Sequence, residues 1–241
     1  MAQPLGATNI YNDAKLNIIY NNSHRAKKVT LKVNQIDRNI RVIVPGHKAF
    51  PAAKKFVEKN KVWIAHQLAT LPPAQPFEDG GFISFHGEQY LLKHISSPKE
   101  FIVDHEACLL NVYSPDSSSF SGRVRRMLIS EARTELKRST VYYANKVCKE
   151  IHKVSVRDTA TRWGSCITRN GLGNINYSWR LICAPSYVLN YVAAHECAHL
   201  VEANHSKDFW NVCSEIYGDV NRPRQWLKHN GPLLYAVGAK L

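Results

Sequence analysis

The first half of the chain carries the two-residue period of β-strands. Apolar and polar residues alternate over residues 29–33 and again over residues 40–44, and the short polar turn between these runs predicts a β-hairpin. Shorter strand-like runs follow at residues 82–85, 90–92, 101–103 and 109–113. This half of the chain is therefore predicted to be rich in β-structure.

Two segments change to the period of an amphipathic helix. Residues 51–69 place apolar side chains at helical spacing between lysines, and Pro72-Pro73 predicts the end of this single helix. A longer helix with a basic outer face is predicted over residues 121–150. Its apolar inner face is predicted to hold Val124, Leu128, Ala132, Leu136 and Val141.

The last third of the chain predicts a hairpin followed by helices. A strand at Ile151–Arg157 precedes a hairpin whose second strand is predicted to extend through Leu181, because apolar residues alternate with polar ones from Ile175 onward. Pro185-Ser186 predicts the start of a helix that is apolar nearly all round, and is therefore a buried central helix. Two more helices are predicted after it, and the last is predicted to end at Asn230-Gly231-Pro232.

These elements predict an α+β fold. Residues 1–115 are expected to form a β-rich N-terminal region with one helix. Residues 116–241 are expected to form a zincin-like helical half with a β-hairpin and a central helix that carries H-E-x-x-H. The hydrophobic content of 44% and the charged content of 21% are ordinary for a globular protein and exclude wholesale disorder.

The chain is strongly basic, with a formal net charge of +13. The excess is concentrated, because residues 25–61 hold eleven Lys or Arg against two acids, and residues 121–157 hold ten against three. Such surfaces favour anionic partners, including nucleic acid, although a basic helix face is also an ordinary solvated surface. Nucleic acid is therefore one possible partner beside peptide or protein substrates.

Six cysteines are present without any C-x-x-C pair, and most lie among apolar residues. Free thiols in a reducing compartment are the simplest prediction. The N-terminus shows no basic stretch followed by an apolar one, so no signal peptide is predicted. No run approaches 18 apolar residues, so no membrane span is predicted either, and a cytoplasmic protein is expected.

The predicted central helix carries the motif His195-Glu196-Cys197-Ala198-His199. Four residues advance a helix by slightly more than one turn, so His195 and His199 lie one above the other and can hold one metal ion. Glu196 lies beside that face, where it can reach a metal-bound water without being a ligand. This is the arrangement of zinc peptidases.

A peptidase zinc has three protein ligands and one open position, so the motif needs a third ligand. His205 is six residues beyond His199, and Asn204 is expected to end the helix so that His205 turns back toward the metal. Glu215 is the alternative third ligand. The spacing equals that of metzincins, but Glu202 occupies their glycine position and no methionine follows, so this label is excluded.

The stretch 162–228 resembles the YgjP-like zinc metallopeptidases, which are relatives of SprT-type proteins and of minigluzincin-like peptidases. The matching segments are Arg162–Cys166, Gly173–Asn176, Trp179–Ile182, Pro185, His195–Leu200, Asn204–Ser206, Phe209-Trp210 and Trp226-Leu227. The resemblance extends to the upstream half, including Trp63-Ile64 and Phe85–Tyr90. It implies Zn²⁺ as the cofactor, His195, His199 and His205 as its ligands, and Glu196 as the catalytic residue. Cys197 departs from the pattern, where Leu is expected.

A peptide substrate must be held extended, and a strand can do this by pairing with it. The candidate strands are Arg162–Ile167 and Ile175–Leu181, with Trp163, Ser165 and Arg180 as possible substrate-binding residues. The alternative is that Trp163 is a core aromatic residue and Arg180 a surface or ion-pair residue. Three functions remain open: a zinc endopeptidase, a SprT-type DNA-associated protease, and a non-catalytic binding module stabilised by zinc.

Overall fold

The computed structural model describes residues 11–13, 17–96 and 101–239. The fold is α+β, as the sequence predicts, with three small sheets and six α-helices among the described residues. The chain divides into a first unit that ends at Pro73 and a second that begins at Ala74. None of the helices in the described ranges is long and apolar enough to cross a membrane.

This division differs from the predicted boundary between residues 115 and 116. The sheet that follows Ala74 belongs to the second unit because its inner side chains join the same hydrophobic core as the later helices. Ile83, Leu92 and Leu110, for example, are fully buried in that core. A change from strands to helices along the sequence therefore does not mark the boundary between the two units.

The first unit contains a four-stranded sheet. Its strands are β1 (Tyr11–Asp13), β2 (Ile18–Asn22), β3 (Thr30–Asn34) and β4 (Asn39–Val44), in the order β1-β2-β4-β3. The predicted hairpin is confirmed as the antiparallel pair β3–β4. Its turn is held by Asn34, whose side-chain oxygen accepts hydrogen bonds from the backbone N–H groups of Ile36 and Asp37 at 3.1 Å.

The helix predicted over residues 51–69 is divided in two. Helix α1 (Phe50–Lys59) and helix α2 (Lys61–Ala69) meet at Asn60, whose side-chain amide donates to the Phe56 carbonyl oxygen at 2.7 Å. Both helices place buried residues against the sheet, and these residues form the core of the first unit. That core consists of Ile18, Tyr20, Ile40, Val42, Val44, Ala53, Val57 and Ile64.

The second unit begins with a sheet that has the same arrangement. Its strands are β5 (Phe82–Phe85), β6 (Glu88–Ile95), β7 (Phe101–Asp104) and β8 (Leu109–Tyr113), in the order β5-β6-β8-β7. In both sheets the inner pair is parallel and each outer pair is antiparallel. The two units thus each start with the same four-stranded topology, which the strand periods along the sequence do not reveal.

The long helix α3 (Ser117–Lys146) follows this sheet and begins four residues earlier than predicted. Asp116 caps it by accepting a hydrogen bond from the Ser119 N–H at 2.8 Å. Four of the five predicted inner residues are fully buried (Val124, Leu128, Ala132 and Leu136). The fifth prediction is wrong, because Val141 is 47% exposed and the preceding Thr140 is buried instead.

The second sheet of this unit lies next to the candidate site. Its strands are β9 (Ile151–Arg157), β10 (Gly164–Arg169) and β11 (Leu172–Ser178), in the order β10-β11-β9. The predicted β10–β11 hairpin is confirmed, but β11 does not continue to Leu181. Residues Trp179–Cys183 form a 3₁₀ helix in which every residue is buried. In a segment that is buried on all sides, alternation of apolar and polar residues does not separate a buried face from an exposed one. It therefore does not indicate a strand here.

Three helices complete the second unit. Helix α4 (Ser186–Ala198) begins where predicted and is buried almost all round, which makes it the central helix. Helix α5 (Lys207–Tyr217) is capped by Ser206. Helix α6 (Asn221–Ala236) continues past the predicted end, with Pro232 inside it, because its last turn still packs Leu234 into the core.

Candidate active site

Helix α4 presents two histidines one turn apart near its C-terminal end. The ring centroids of His195 and His199 are 5.0 Å apart, as the i, i+4 spacing requires. Helix α4 ends at Ala198, and the next residue, His199, still has helical backbone angles. The expectation that the helix continues to Asn204 is therefore wrong, and the chain leaves the helix six residues earlier.

This early exit lets the chain turn back toward the two histidines. The turn is held by backbone hydrogen bonds from the Val201 and Glu202 N–H groups to the Ala198 carbonyl oxygen, both at 3.0 Å. His205 then lies 4.9 Å from His195 and 4.7 Å from His199 between ring centroids. One nitrogen of each of the three imidazoles lies within 4.8 Å of the other two, which is the spacing of a metal site.

The outward nitrogens of two of these rings have hydrogen-bond partners. The Nδ1 atom of His199 lies 3.0 Å from the Glu202 carbonyl oxygen, and Nδ1 of His195 lies 3.3 Å from the Tyr191 hydroxyl. Metal-binding histidines commonly use the second nitrogen in this way, which fixes the ring and the tautomer. In His195 and His199 the Nε2 atoms are thereby left to bind a metal, and Nε2 of His195 lies 3.0 Å from Nε2 of His205.

Helix α5 supplies an aromatic floor beneath the three rings. The buried ring of Phe209 lies 4.5 to 4.9 Å from all three imidazoles between centroids, and Trp210 lies 5.9 Å from His195 and 5.7 Å from His205. Ser206 fixes the start of α5 by accepting a hydrogen bond from the Phe209 N–H at 3.3 Å. Because Ser206 directly follows His205, this hydrogen bond holds His205 and Phe209 in a fixed relation to each other.

Burial favours the neutral form of two imidazoles in the cluster, His195 and His205. It lowers the pKa of His195 to about 3, and the charges of His199, His205 and Arg224 act in the same direction. Burial and the His199 charge also lower the pKa of His205. Neutral imidazole is the form that binds metal, so the site does not need to lose a proton from His195 to do so at neutral pH.

Glu196 lies beside the cluster and is only 5% exposed. Its Oε2 atom is buried and has no hydrogen-bond partner within the described part of the chain. Burial raises the pKa of Glu196 to about 8, against the opposing effect of the Arg162 charge. A buried carboxyl group without a partner is costly for the fold, which is the usual mark of a group retained for chemistry.

Strand β10 forms one wall of an open cleft over the three histidines and Glu196. The residues of this wall are Arg162, Gly164, Ser165, Cys166 and Thr168. In its sheet, β10 is an outer strand that pairs only with β11 among the described strands. Its other edge therefore presents backbone N–H and C=O groups that can pair with an extended chain.

A family model for the YgjP-like metallopeptidase domain matches residues 27–230. The chain belongs to the YgjP-like metallopeptidase family. Comparisons with curated proteins and with solved structures give no significant match. Membership confirms the resemblance seen in the sequence, and it makes the chain a metallopeptidase whose histidine cluster and buried carboxylate lie in one cleft.

The three predicted substrate-binding residues have different surroundings in this metallopeptidase. Ser165 lines the cleft. Trp163 does not, because its ring stacks on Tyr235 with a centroid distance of 4.6 Å. Arg180 is fully buried, forms an ion pair with Asp158 and lies over the Trp179 ring, so it is an ion-pair residue of the core. The contacts of Trp163 and Arg180 therefore fit the alternative interpretation, in which Trp163 is a core aromatic residue and Arg180 an ion-pair residue.

Two other predictions concern the ligand set and the core. Glu215, the alternative third ligand, is exposed on α5 and is outside the cluster of potential ligands found in the described chain. Cys197 is fully buried, and its thiol donates to the Thr140 carbonyl oxygen at 3.5 Å, so it packs between α4 and α3. All six cysteines are free thiols, three of them buried.

Sequence reasoning missed the individual roles of Tyr191, Arg162 and Gly164. Tyr191 is four residues before His195, so its hydroxyl was predictable as a neighbour of that ring from helical spacing. Gly164, at the start of β10, and Arg162, two residues before it, approach Glu196 from a distant part of the sequence, and no local pattern indicates a contact of this kind. Only the packing of β10 against α4 brings them together.

Proposed function

We propose that this metallopeptidase is a zinc-dependent endopeptidase in which His195, His199 and His205 hold the metal and Glu196 is the general base. The observation that carries the proposal is the meeting of three imidazole nitrogens within 4.8 Å beside a buried carboxyl group, in one open cleft. Of the alternatives that the sequence left open, this one gives a role to both the three imidazoles and the buried carboxyl group.

The donor set supports zinc as the metal. Three neutral imidazoles suit Zn²⁺, and three protein ligands leave a fourth position for water or substrate, as in catalytic zinc sites. The hydrogen bonds from Nδ1 of His195 and His199 are the outer partners that such sites use. The cluster also faces the cleft rather than the core, which favours a catalytic role over a purely structural one.

Zinc, when bound, lowers the pKa of a coordinated water to about 7 and polarises the peptide carbonyl. Glu196 then accepts a proton from the attacking water on the unpartnered side of its carboxyl group and delivers it to the leaving amine. In the metal-free site burial raises the pKa of Glu196 to about 8. A bound Zn²⁺ would favour the ionised carboxylate, which is the form that accepts a proton. Phe209 keeps the three rings in place from below.

Strand β10 supports the choice of a peptide substrate. An extended chain that pairs with its open edge passes directly in front of Glu196, because Gly164 at the start of the strand contacts this side chain. Recognition through backbone hydrogen bonds needs no chain terminus, which favours an endopeptidase. Ser165 in the same wall is a candidate for an additional polar contact with the substrate.

The test is metal analysis combined with peptide hydrolysis. Purified protein is expected to hold close to one zinc per chain, and Glu196→Gln is expected to keep the zinc and lose hydrolysis. His195→Ala is expected to lose the zinc, whereas His152→Ala, which removes an exposed histidine outside the cluster, serves as the matched control. Protein that takes up no zinc on reconstitution would falsify the proposal.

The same variants test the binding module, and measurements with DNA test the DNA-associated protease. A zinc-stabilised binding module predicts that His195→Ala unfolds the second unit while Glu196→Gln changes no measurable activity. A DNA-associated protease predicts hydrolysis that DNA stimulates and DNA binding that weakens steeply with salt. That alternative and the cytoplasmic location stay predictions from charge and cysteine content.

A further inference from the structure

Arg162 is the only Lys or Arg that lines the cleft within the described part of the chain. It lies two residues before Gly164, at the upstream end of β10, and its charge reaches Glu196. The carboxyl group of Glu196 is buried, whereas the guanidinium of Arg162 is exposed and carries a positive charge on the open wall of the cleft. A feature of this kind selects the charge of what enters the cleft.

The backbone that carries Arg162 is held on both sides. The Thr159 hydroxyl donates to the Arg162 carbonyl oxygen at 2.7 Å, and the Ser178 N–H donates to the Trp163 carbonyl oxygen at 2.8 Å. The Trp163 ring is stacked on Tyr235, with an angle of 19° between the ring planes. Arg162 therefore projects from a fixed support, although its own head is exposed to solvent.

The guanidinium head of Arg162 is unpaired among the residues that the structure describes. Within the described ranges, its guanidinium makes no hydrogen bond and no ion pair, whereas the neighbouring Arg125 and Arg180 share Asp158. Arg224, whose charge also reaches the histidines, lies over the Trp210 ring at 4.2 Å. An unpaired arginine on a rigid support is preorganised for an external anion, and its planar fork matches a carboxylate best.

The direction of β10 decides which end of a substrate Arg162 meets. Antiparallel strand pairs are more common and slightly more stable per residue than parallel ones, so an added peptide is expected to run opposite to β10. Gly164 marks the position of Glu196 along the strand, because a side chain there would overlap this carboxyl group. In an antiparallel pairing, the part of the peptide beyond that point, toward Arg162, is C-terminal to the scissile bond.

We propose that Arg162 binds a carboxylate of the substrate on the C-terminal side of the scissile bond. This inference rests on the proposed peptidase function and adds a substrate preference to it. The carboxylate has two sources, an acidic side chain or a free C-terminus close behind the cleaved bond. Either is expected to improve kcat/KM on the order of tenfold over its neutral counterpart, the effect of about 1.4 kcal/mol.

The test uses zinc-loaded protein and one peptide sequence that it cleaves, taken from a random peptide library. The peptide is made with Glu or Gln at each position C-terminal to the cleaved bond, and each version with a free or an amidated C-terminus. A preference for Glu identifies the side chain as the source, and a preference for the free terminus identifies the α-carboxylate. Equal kcat/KM for all versions overturns the inference and leaves the peptidase function intact.

Three variants assign the preference to Arg162. Arg162→Gln is expected to remove it mainly through KM, and Arg162→Glu is expected to reverse it, so that Lys-containing peptides are preferred. A merely structural role would not reverse a charge preference. Arg169→Gln is the matched control, because Arg169 is at the other end of β10 and lines a different depression, with His152 and Ile167. A preference that persists in Arg162→Gln overturns the assignment.

The two proposals fail in different ways. Protein that binds no zinc and cleaves no peptide contradicts the peptidase function. In that event, calorimetric titration with three peptides still decides the Arg162 inference. The peptides are Ala-Ala-Ala-Glu-Ala-Ala with an amidated C-terminus, its Gln counterpart with an amidated C-terminus, and the same Gln counterpart with a free C-terminus. Binding of a carboxylate-bearing version that is about tenfold tighter in wild type and lost in Arg162→Gln supports it, and equal binding of all versions overturns it.

Discussion

The start of strand β10 is packed directly against the candidate general base. A Cβ atom added to Gly164 would lie 2.4 Å from Oε1 of Glu196 and 2.7 Å from its Cδ and Cγ atoms. Real Cβ atoms do not approach other atoms so closely, so no other residue fits at position 164 without moving Glu196. The absence of a side chain at this position therefore leaves the space that the carboxyl group of Glu196 occupies beside the cleft.

Gly164→Ala is expected to displace Glu196 and to lower peptide hydrolysis by about 100-fold or more, since a shift of about 1 Å in a reacting group has this effect. Zinc content is expected to stay unchanged, because position 164 is not a ligand. Hydrolysis assays and metal analysis on the same sample measure both quantities.

Gly122→Ala provides the control for a glycine-to-alanine change. A Cβ atom at position 122, in helix α3, meets only the Arg126 side chain at 3.6 Å, which is ordinary contact. Hydrolysis by this variant is expected to equal that of wild type. Full activity in Gly164→Ala would show that Glu196 tolerates the intrusion and that the contact is not critical.

The third metal ligand can be assigned by comparing His205 with Glu215. His205→Ala is expected to weaken zinc binding by more than about 100-fold. Loss of a residue that only hydrogen-bonds to a ligand weakens metal binding by at most about 100-fold, so a larger effect identifies a ligand. Glu215→Gln is expected to bind zinc like wild type, because Glu215 is exposed on α5 and outside the cluster. Competition with a zinc-sensitive chelating dye measures both affinities. Equal affinities in His205→Ala and wild type would remove His205 from the ligand set.

The ion pair of Arg180 and Asp158 is expected to matter for stability. Arg180 is fully buried, and Asp158 also pairs with Arg125, so Asp158→Asn leaves a buried charge without its counter-ion. The expected loss is about 3 kcal/mol in the free energy of unfolding, measured with urea. Combining Asp158→Asn with Arg180→Met is expected to restore part of it.

Glu135→Gln is the control for this prediction, because it breaks the ion pair with the largely exposed Arg138. A change within about 0.5 kcal/mol is expected for that pair. If Asp158→Asn costs no more than this control, the buried arginine has found another partner, and its assignment as an ion-pair residue of the core is wrong.

The sequence predicted the parts of the site that depend on local spacing. The placement of His195 and His199 on one helical face follows from the period of a helix, and the start of α4 follows from Pro185-Ser186. The approach of His205 was predicted with the wrong turn, because α4 ends at Ala198 instead of Asn204. The number of residues between ligands limits the possible turns but does not select one.

The parts that depend on packing between distant elements were not predictable. Arg180 alternates with apolar neighbours like a surface residue of a strand, yet the segment is a buried 3₁₀ helix in which alternation carries no information. The contact of Gly164 with Glu196 joins residues 32 positions apart, and neither residue carries a local signal for it. Such contacts follow from how β10 packs on α4, which periodicity does not describe.

The pH dependence of stability in zinc-free protein is a test of the burial of Glu196. Its pKa is about 8 in the folded state, against 4.5 as the ordinary value, so between these values the folded protein holds a proton that the unfolded chain has released. The free energy of unfolding therefore falls as the pH rises through this window. His195 has the opposite sign, because its pKa of about 3 is below the ordinary 6.5, and its contribution is lost as the pH falls below 6.5.

The effects of Glu196 and His195 on the free energy of unfolding overlap below pH 6.5. The measurement is therefore made between pH 6.5 and 8, where Glu196 contributes and His195 does not. Urea unfolding of protein treated with a chelator is expected to show a decline of about 1 kcal/mol per pH unit, and Glu196→Gln is expected to remove it. Added zinc is expected to remove it as well, because a bound cation stabilises the carboxylate. An equal decline in Glu196→Gln would mean that another group titrates and that the Glu196 carboxyl group is already ionised in the folded protein.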